Sequence, residues 1–105
     1  MADLKVAIAG AGGRMGAANI RAVAATPGLV LVSAFDRNGT PVIGADAGTR
    51  SGLPANGILI TADRDAALSD ADAVLDFTSP AASVALSRRA AALGLVHVIG
   101  TTGCS

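Results

Sequence analysis

The chain has 105 residues, enough for one domain with one hydrophobic core and too few for a second. Hydrophobic residues make up 51% of it, and its eight basic residues, scattered along the chain, balance its eight acidic ones, which argues against nucleic-acid binding. No apolar run reaches the roughly 18 residues of a membrane span and no secretory signal opens the chain, so we expect a cytoplasmic protein.

The first predicted element is a buried strand over residues 4–9 that runs into a glycine-rich turn. The segment is apolar apart from Lys5 and is too short for an ordinary helix. A continuous apolar run of this kind is typical of strands that are buried on both faces in parallel sheets. The glycines follow the frame G-x-x-G-x-x-G from Gly10 to Gly16, rather than the commoner G-x-G-x-x-G. Gly10 allows a tight turn, and Gly12 and Gly13 let backbone N–H groups approach a pyrophosphate. The alternative is a glycine-rich strand-to-helix turn that binds nothing.

A helix is predicted over residues 14–25, and a second strand over residues 29–35. This strand ends in Asp36 and Arg37, about 20 residues after the glycine turn. A dinucleotide site needs an acid at this place for the ribose diol of the adenosine. The spacing therefore favours Asp36 as a nucleotide ligand.

The remaining elements continue the alternation of strand and helix. Residues 38–57 contain five glycines and two prolines, which predicts a long loop, and a loop of that length is usually functional or mobile. The predicted elements after it are a third strand (58–60), a short helix (63–68) capped by Thr61 or Asp63, a fourth strand (73–77), a helix from Pro80 to about residue 93 with Ser79 as its N-cap, and a fifth strand (96–99).

This alternation predicts one α/β domain over residues 1–105, Rossmann-like and three-layered, with a parallel sheet in the strand order 3-2-1-4-5. In such a sheet the ligand crevice lies at the carboxyl ends of the strands, where the order reverses. The segments that meet at this edge are residues 10–16, Asp36 and Arg37, Phe77, and residues 100–103. Their convergence indicates a dinucleotide-binding domain.

Four stretches together resemble a known family. They are residues 6–16 (VAIAGAGGRMG), 44–48 (GADAG), 76–80 (DFTSP) and 98–103 (VIGTTG). In this combination they are similar to the N-terminal half of the 4-hydroxy-tetrahydrodipicolinate reductase (dihydrodipicolinate reductase) family. The resemblance covers the whole chain. It implies a reductase of the diaminopimelate and lysine pathway that takes hydride from NADH or NADPH.

The resemblance also implies roles for individual residues. It assigns the pyrophosphate to the turn, the adenosine ribose to Asp36, a 2′-phosphate to Arg37, and the nicotinamide carboxamide to the segment after the fifth strand. The implied cofactor contacts are Gly10, Ala11, Gly12, Gly13, Arg14, Met15, Asp36, Arg37, Phe77, Gly100, Thr101 and Thr102.

The resemblance implies that the substrate domain is not in this chain. In the family a C-terminal domain carries a histidine-rich stretch and a lysine that serve the substrate. We therefore expect residues 1–105 to bind cofactor without turnover and to include no catalytic residue. The open edge of the fifth strand predicts self-association of the chain, and a homo-oligomer is expected for the parent protein.

Several alternatives stay open at the level of the sequence. His97 lies inside a strand and is interpreted as a structural histidine rather than an acid, whereas Arg14 is either a phosphate ligand or part of the solvent face of its helix. Cys104 alone forms neither an internal disulfide nor a multi-cysteine metal site, and we expect no metal. The rival functions are a non-enzymatic nucleotide-binding or redox-sensing module, binding of coenzyme A on the same turn, and the cofactor domain of another NAD(P)-dependent dehydrogenase.

Overall fold

Strands and helices alternate along the chain, which is the order that a parallel sheet requires. The computed structural model describes residues 3–76 and 80–99, leaving aside the side chains of residues 80–82 and 99. The strands are β1 (Leu4–Ala9), β2 (Leu29–Phe35), β3 (Ala73–Asp76) and β4 (Val96–Ile99). The helices are α1 (Arg14–Ala25), α2 (Ala47–Arg50), α3 (Arg64–Ser69) and α4 (Pro80–Leu93).

The four strands form one parallel sheet in the order β2-β1-β3-β4, with helices on both faces. On one face Val6 and Ile8 of β1 pack against Ile20 and Val23 of α1. On the other face a second apolar cluster joins β1 and β3 to α3 and α4; its members include Ala7, Ala9, Val74, Leu68, Leu86 and Ala90. The chain thus forms the three layers of a Rossmann-like α/β domain, and the predicted fold class is confirmed.

The predicted third strand over residues 58–60 is not a strand of this sheet, and that part of the prediction is wrong. The segment lies beside β2, as expected, but pairs with it through a single parallel bridge between Phe35 and Thr61. The preceding loop takes up other backbone groups of the segment, since the Ile60 N–H donates to the Ala45 carbonyl at 2.9 Å. Three apolar residues are at the lower limit of strand length, and the pairing with β2 is limited to Thr61, just beyond them. The predicted order therefore holds for the four regular strands only.

The segment over residues 38–57 contains one short helix, α2, that the sequence does not predict. Its N-cap is Asp46, whose carboxylate accepts a hydrogen bond from the Thr49 N–H at 2.9 Å. The helix α3 begins one residue later than predicted because Asp63 is its N-cap, accepting from the Ala66 N–H at 3.0 Å. The predicted strand end at Phe77 lies outside the described residues. Within residues 3–76 and 80–99 no helix is both long enough and apolar enough to cross a bilayer.

Candidate nucleotide-binding site

The glycine turn is folded against the end of β2. Gly10 adopts a φ of +73°, a conformation that suits glycine because it has no Cβ, and the chain turns back so that the Gly13 N–H donates to the Gly10 carbonyl at 3.1 Å. The Ala11 N–H donates to the Phe35 carbonyl, also at 3.1 Å. Phe35 is the last residue of β2, so the turn and the chain segment after β2 form one continuous edge.

The carboxylate of Asp36 is hydrogen-bonded to the glycine turn. Its Oδ2 accepts from the Gly12 N–H at 2.8 Å, and its Oδ1 accepts from the Arg37 N–H at 2.8 Å. An ionised carboxylate has about four lone-pair sites on its two oxygens. These two bonds therefore orient Asp36 and leave acceptor capacity on both oxygens for hydroxyl donors.

The N-terminus of α1 carries backbone N–H groups that no side chain caps. Gly13 is the N-cap and has no side chain to accept a bond, and the first turn of the helix contains no acidic residue. Arg14 and Met15 in that turn are exposed. Unsatisfied N–H groups and the helix dipole together favour an anion at this end of a helix. The described geometry therefore suits a phosphate group.

The glycines of the turn differ in how closely other atoms approach them. A Cβ on Gly16 would collide with the Gly10 carbonyl, so Gly16 permits α1 to pack on the turn. A Cβ on Gly12 would lie 2.6 Å from Val42 and 2.8 Å from the Asp36 carboxylate. A Cβ on Gly13 would lie 3.6 Å from the Gly10 carbonyl, which is ordinary contact. The protein's own packing thus requires glycine at position 16, where backbone fills the space, disfavours a Cβ at position 12, where two side chains would have to shift, and allows one at position 13.

Val42 is a contributor to this edge that the sequence does not reveal. It is buried in the same apolar cluster as Ile8 and Ile20, and its side chain lies beside Gly12. The only signal in the sequence is that Val42 and Ile43 are the one adjacent apolar pair within a glycine-rich loop. The loop over residues 38–57 thus packs against the glycine turn instead of standing away from it.

Asp46 organises that loop. Its carboxylate accepts hydrogen bonds from the backbone N–H groups of Thr49, Asn56 and Gly57 at 2.9, 3.2 and 2.8 Å. These bonds, that of Thr49 foremost, hold the pKa of Asp46 below its ordinary value because they favour the ionised form. Asp46 therefore acts within the loop's own structure.

The structure brings the predicted contacts of the turn together with Asp36. Gly10, Gly12 and Gly13 form the turn, and Asp36 is bonded to it. Arg37 is exposed and makes no ion pair within residues 3–76 and 80–99. The remaining predicted contacts lie outside the described residues; they are Phe77, Gly100, Thr101 and Thr102.

His97 lies in β4 and is paired with a carboxylate. Its Nε2 is 2.8 Å from Oδ2 of Asp76, the last residue of β3, and the two side chains are 9% and 0% exposed. Because the pair is enclosed, His97 has little contact with solvent. This placement is what a structural histidine requires.

Comparison with known proteins identifies the family. The family model described as "Dihydrodipicolinate reductase, N-terminus" matches residues 4–105. The chain is 52% identical over 105 residues to 4-hydroxy-tetrahydrodipicolinate reductase of Bradyrhizobium diazoefficiens, and 50% identical over the same length to that of Rhodopseudomonas palustris strain BisB5. Each alignment covers 100% of this chain and 39% of the relative. The chain therefore belongs to the dihydrodipicolinate reductase family and corresponds to its N-terminal domain.

Proposed function

We propose that this chain is the NAD(P)H-binding part of a 4-hydroxy-tetrahydrodipicolinate reductase. The observation that carries the proposal is the hydrogen bond from the Gly12 N–H to Asp36 Oδ2 at 2.8 Å. This bond joins Asp36, which follows β2, directly to the glycine turn. The proposed contacts to the ribose and to the pyrophosphate therefore share one edge of the sheet. The relatives that bear the reductase name support the assignment to this enzyme.

The charges of this edge fit a dinucleotide. The uncapped N-terminus of α1 and the exposed guanidinium of Arg14 favour the pyrophosphate, while Asp36 accepts from the ribose hydroxyls. Arg37 follows Asp36 and supplies a guanidinium for a 2′-phosphate. The bound nicotinamide would supply the hydride, and the residues of this chain would hold and orient it.

The described residues bring no proton donor to the same edge. His97 is the only histidine of the chain, and its Nε2 is engaged by Asp76. Lys5 is the only lysine, and it lies near the start of β1, at the opposite end of the strand from the glycine turn. We therefore propose that this chain binds cofactor but does not reduce substrate by itself.

The test is a titration of the purified chain with NADH, NADPH and coenzyme A, followed by NADH absorbance in the presence of 4-hydroxy-tetrahydrodipicolinate. Saturable binding of both nicotinamide nucleotides with a flat absorbance trace is the expected result. Binding of coenzyme A alone would instead support a non-enzymatic nucleotide module. Steady oxidation of NADH by the pure chain would contradict the proposal that this chain binds cofactor without reducing substrate.

A further inference from the structure

Two Asn-Gly dipeptides lie in the segment over residues 38–57, and the proposed cofactor contacts use neither of them. They are Asn38-Gly39 and Asn56-Gly57. An asparagine before a glycine is prone to deamidation, because the backbone nitrogen of the next residue can attack the side-chain amide carbon and glycine has no Cβ to obstruct it. The two dipeptides share this chemistry, so their surroundings decide which of them reacts.

Exposure and backbone conformation do not distinguish the two dipeptides. Both asparagines are exposed. Gly39 has a φ of +90° and Gly57 a φ of +77°. A Cβ on either glycine would meet no atom within 4 Å beyond the neighbouring residues, in the part of the chain that the structure describes. The two sites differ instead in their hydrogen bonds.

Three hydrogen bonds hold the groups of Asn56-Gly57 that would react. Oδ1 of Asn56 accepts from the Gly48 N–H at 3.2 Å and from the Ile58 N–H at 3.0 Å, which fixes the side-chain amide. The Gly57 N–H contains the attacking nitrogen, and it donates to Asp46 Oδ1 at 2.8 Å. The carboxylate opposes loss of this proton, because the nitrogen would become negative beside it. These bonds must break before Asn56 reacts.

Asn38-Gly39 lacks such bonds. It occupies the two central positions of a turn from Arg37 to Thr40, and the bond that closes the turn, from the Thr40 N–H to the Arg37 carbonyl, is 3.5 Å long and therefore weak. Neither the side-chain amide of Asn38 nor the Gly39 N–H makes a hydrogen bond within residues 3–76 and 80–99. The turn can therefore reach the conformation for attack more easily than the segment around Asn56.

We propose that Asn38 is a site of spontaneous deamidation, which adds a negative charge beside Arg37. The Gly39 nitrogen loses its proton to solvent base and bonds to Cγ of Asn38, and the side-chain nitrogen takes up a proton and leaves as ammonia. Water then opens the succinimide ring. Breaking the bond from nitrogen to Cγ gives aspartate, and breaking the bond from nitrogen to the main-chain carbonyl carbon gives isoaspartate. One water is consumed, one ammonia is released, and nothing is oxidised or reduced.

The new carboxylate lies next to the residue that we propose binds a 2′-phosphate. Arg37 would then stand between carboxylates at positions 36 and 38. A further negative charge near the 2′-phosphate disfavours NADPH, whereas NADH has no phosphate at that place. This effect on cofactor choice rests on the proposed function, since it assumes that Arg37 serves NADPH. The deamidation itself depends only on the turn.

The first experiment follows both dipeptides in one sample of the chain. The protein is aged in mildly alkaline buffer and digested with trypsin, which separates Asn38 and Asn56 into peptides of residues 38–50 and 51–64 for mass spectrometry. Unaged chain digested in parallel corrects for reaction during digestion. We expect Asn38 to react at least about tenfold faster than Asn56, the effect of a few hydrogen bonds that must first break. In urea the two rates should become similar, because those bonds are lost.

The Asp46→Asn variant tests the origin of the difference. Its amide is neutral and has one acceptor oxygen in place of two, so it holds the Gly57 N–H less firmly. In the folded variant the reaction of Asn56 should accelerate and that of Asn38 should keep its wild-type rate. Three results would overturn the proposal: equal rates in the folded wild type, an Asn38 that reacts only after unfolding, and an Asn56 that does not accelerate in the folded variant.

The second experiment measures the effect on cofactor choice. Asn38→Asp reproduces the aspartate product, and Asn38→Gln is the matched control, since its longer amide deamidates far more slowly. In Asn38→Asp the dissociation constant of NADPH should rise by about threefold or more and that of NADH by less than about twofold. Asn38→Gln should keep the wild-type values after ageing.

The outcomes of this second experiment separate the inference from the proposed function. An unchanged ratio of the two dissociation constants in Asn38→Asp would refute the effect on cofactor choice. A wild-type chain that binds neither nucleotide would refute the proposed function, and the effect on cofactor choice with it. The peptide rates would still decide whether Asn38 deamidates.

Discussion

Asp36 combines a structural bond with acceptor capacity that we propose serves the ribose of the cofactor. Its carboxylate is fixed by the Gly12 and Arg37 N–H groups at 2.8 Å each, so its orientation is set before any nucleotide arrives. Preorganised acceptors lose less conformational entropy on binding than mobile ones. Truncation to alanine would also leave the Gly12 N–H without its acceptor, so a variant that keeps an oxygen is the cleaner probe.

The Asp36→Asn variant should shift the cofactor preference towards NADPH. The amide oxygen can still accept from the Gly12 N–H, but the negative charge that repels a 2′-phosphate is removed. We expect NADH affinity to fall by about tenfold, as a charge-assisted bond becomes a neutral one, with NADPH affinity unchanged or improved. Titrating both cofactors measures the ratio. Equal weakening of both would show that Asp36 serves only the turn.

Arg37 should determine how well NADPH competes with NADH. The repulsion by Asp36 and the attraction by Arg37 are of similar size, so the wild-type chain should bind both cofactors within about tenfold of each other. Arg37→Ala should weaken NADPH by about 10- to 100-fold and leave NADH nearly unchanged. Arg50→Ala, which removes an exposed guanidinium at the end of α2, is the matched control. An unaltered ratio of the two dissociation constants would mean that Arg37 does not meet the phosphate.

Asp46 should make the stability of the chain sensitive to acid. Its pKa is lowered in the folded state by the backbone N–H groups that it accepts from, so the carboxylate stabilises the fold above its unfolded pKa. That contribution is lost as the pH falls below about 4, through the lowered folded value. Urea unfolding should show that Asp46→Asn destabilises the chain near neutral pH and that the difference from wild type shrinks in acid.

The control for Asp46 is Asp70→Asn. Asp70 is exposed, and its carboxylate accepts no hydrogen bond within residues 3–76 and 80–99. This variant should follow the wild-type stability at each pH. A constant difference between wild type and Asp46→Asn from neutral pH into acid would contradict the assignment.

At the scale of the element, the strand–turn–helix unit from β1 to α1 separates packing from binding. Gly16 is needed because the backbone of Gly10 and Ala11 occupies the space of a side chain: the Ala11 Cα is 2.7 Å from the point where a Cβ of residue 16 would lie. At Gly13 a Cβ would make only ordinary contact with the Gly10 carbonyl, and the φ of −86° and ψ of 172° suit any residue. Glycine is a better N-cap than alanine, and the approach of a ligand would be a further reason for glycine at position 13.

A pair of alanine substitutions tests this separation. Gly16→Ala should lower the free energy of unfolding by about 1–3 kcal/mol or more, the usual effect of overpacking against backbone. Gly13→Ala should lower it by about 1 kcal/mol or less, since alanine is only a poorer N-cap. Gly13→Ala should nevertheless weaken NADH by tenfold or more, about 1.4 kcal/mol, because its methyl group stands between the N–H groups and the pyrophosphate. Wild-type NADH affinity in Gly13→Ala would show that the pyrophosphate approaches elsewhere.

At the scale of the whole molecule, the sequence predicts the regular elements better than the loop between them. Apolar runs such as Leu29–Phe35 are bounded by turn residues and too short for an ordinary helix, so length and flanking residues identify β2 and its parallel neighbours. The segment around Ile60 bonds to Ala45 of the preceding loop on one side and pairs with β2 through Thr61 on the other. How many residues of a short apolar run pair with a neighbouring strand depends on non-local contacts, which leave no signature in the run itself.

In the candidate site, too, the sequence predicts the local features but not the contacts between them. The glycine spacing and the position of Asp36 after β2 are local features, and the sequence contains both. The bond between Gly12 and Asp36, the packing of Val42 on the turn, and the diagonal bond from His97 to Asp76 depend on register and on tertiary packing. The sequence alone places Gly12 and Asp36 near one edge without specifying their contact, and it does not reveal Val42.

The outer edge of β4 is the most exposed apolar region of the described sheet. Within residues 3–76 and 80–99, β4 pairs with β3 only. Val96 is 59% exposed and Val98 is 46% exposed, and both lie on the sheet face opposite to His97. Because α1 packs over β1 and β2, this face of β4 has no helix over it among the described residues. An apolar strand with open backbone groups is a template for pairing with a second chain.

We therefore predict that the 105-residue chain self-associates through β4. Sedimentation velocity at high micromolar concentration should show a species heavier than the monomer, in reversible exchange with it. The variant Val96→Lys/Val98→Lys places charges along the edge, which natural edge strands use to prevent pairing, and it should shift the protein to the monomer without loss of helix content. Lysine at Val30 and Leu59, two other exposed apolar positions, is the control and should leave association unchanged. A strictly monomeric wild-type profile would mean that the edge of β4 is covered in solution, and association that persists in the β4 variant would place the contact on another surface.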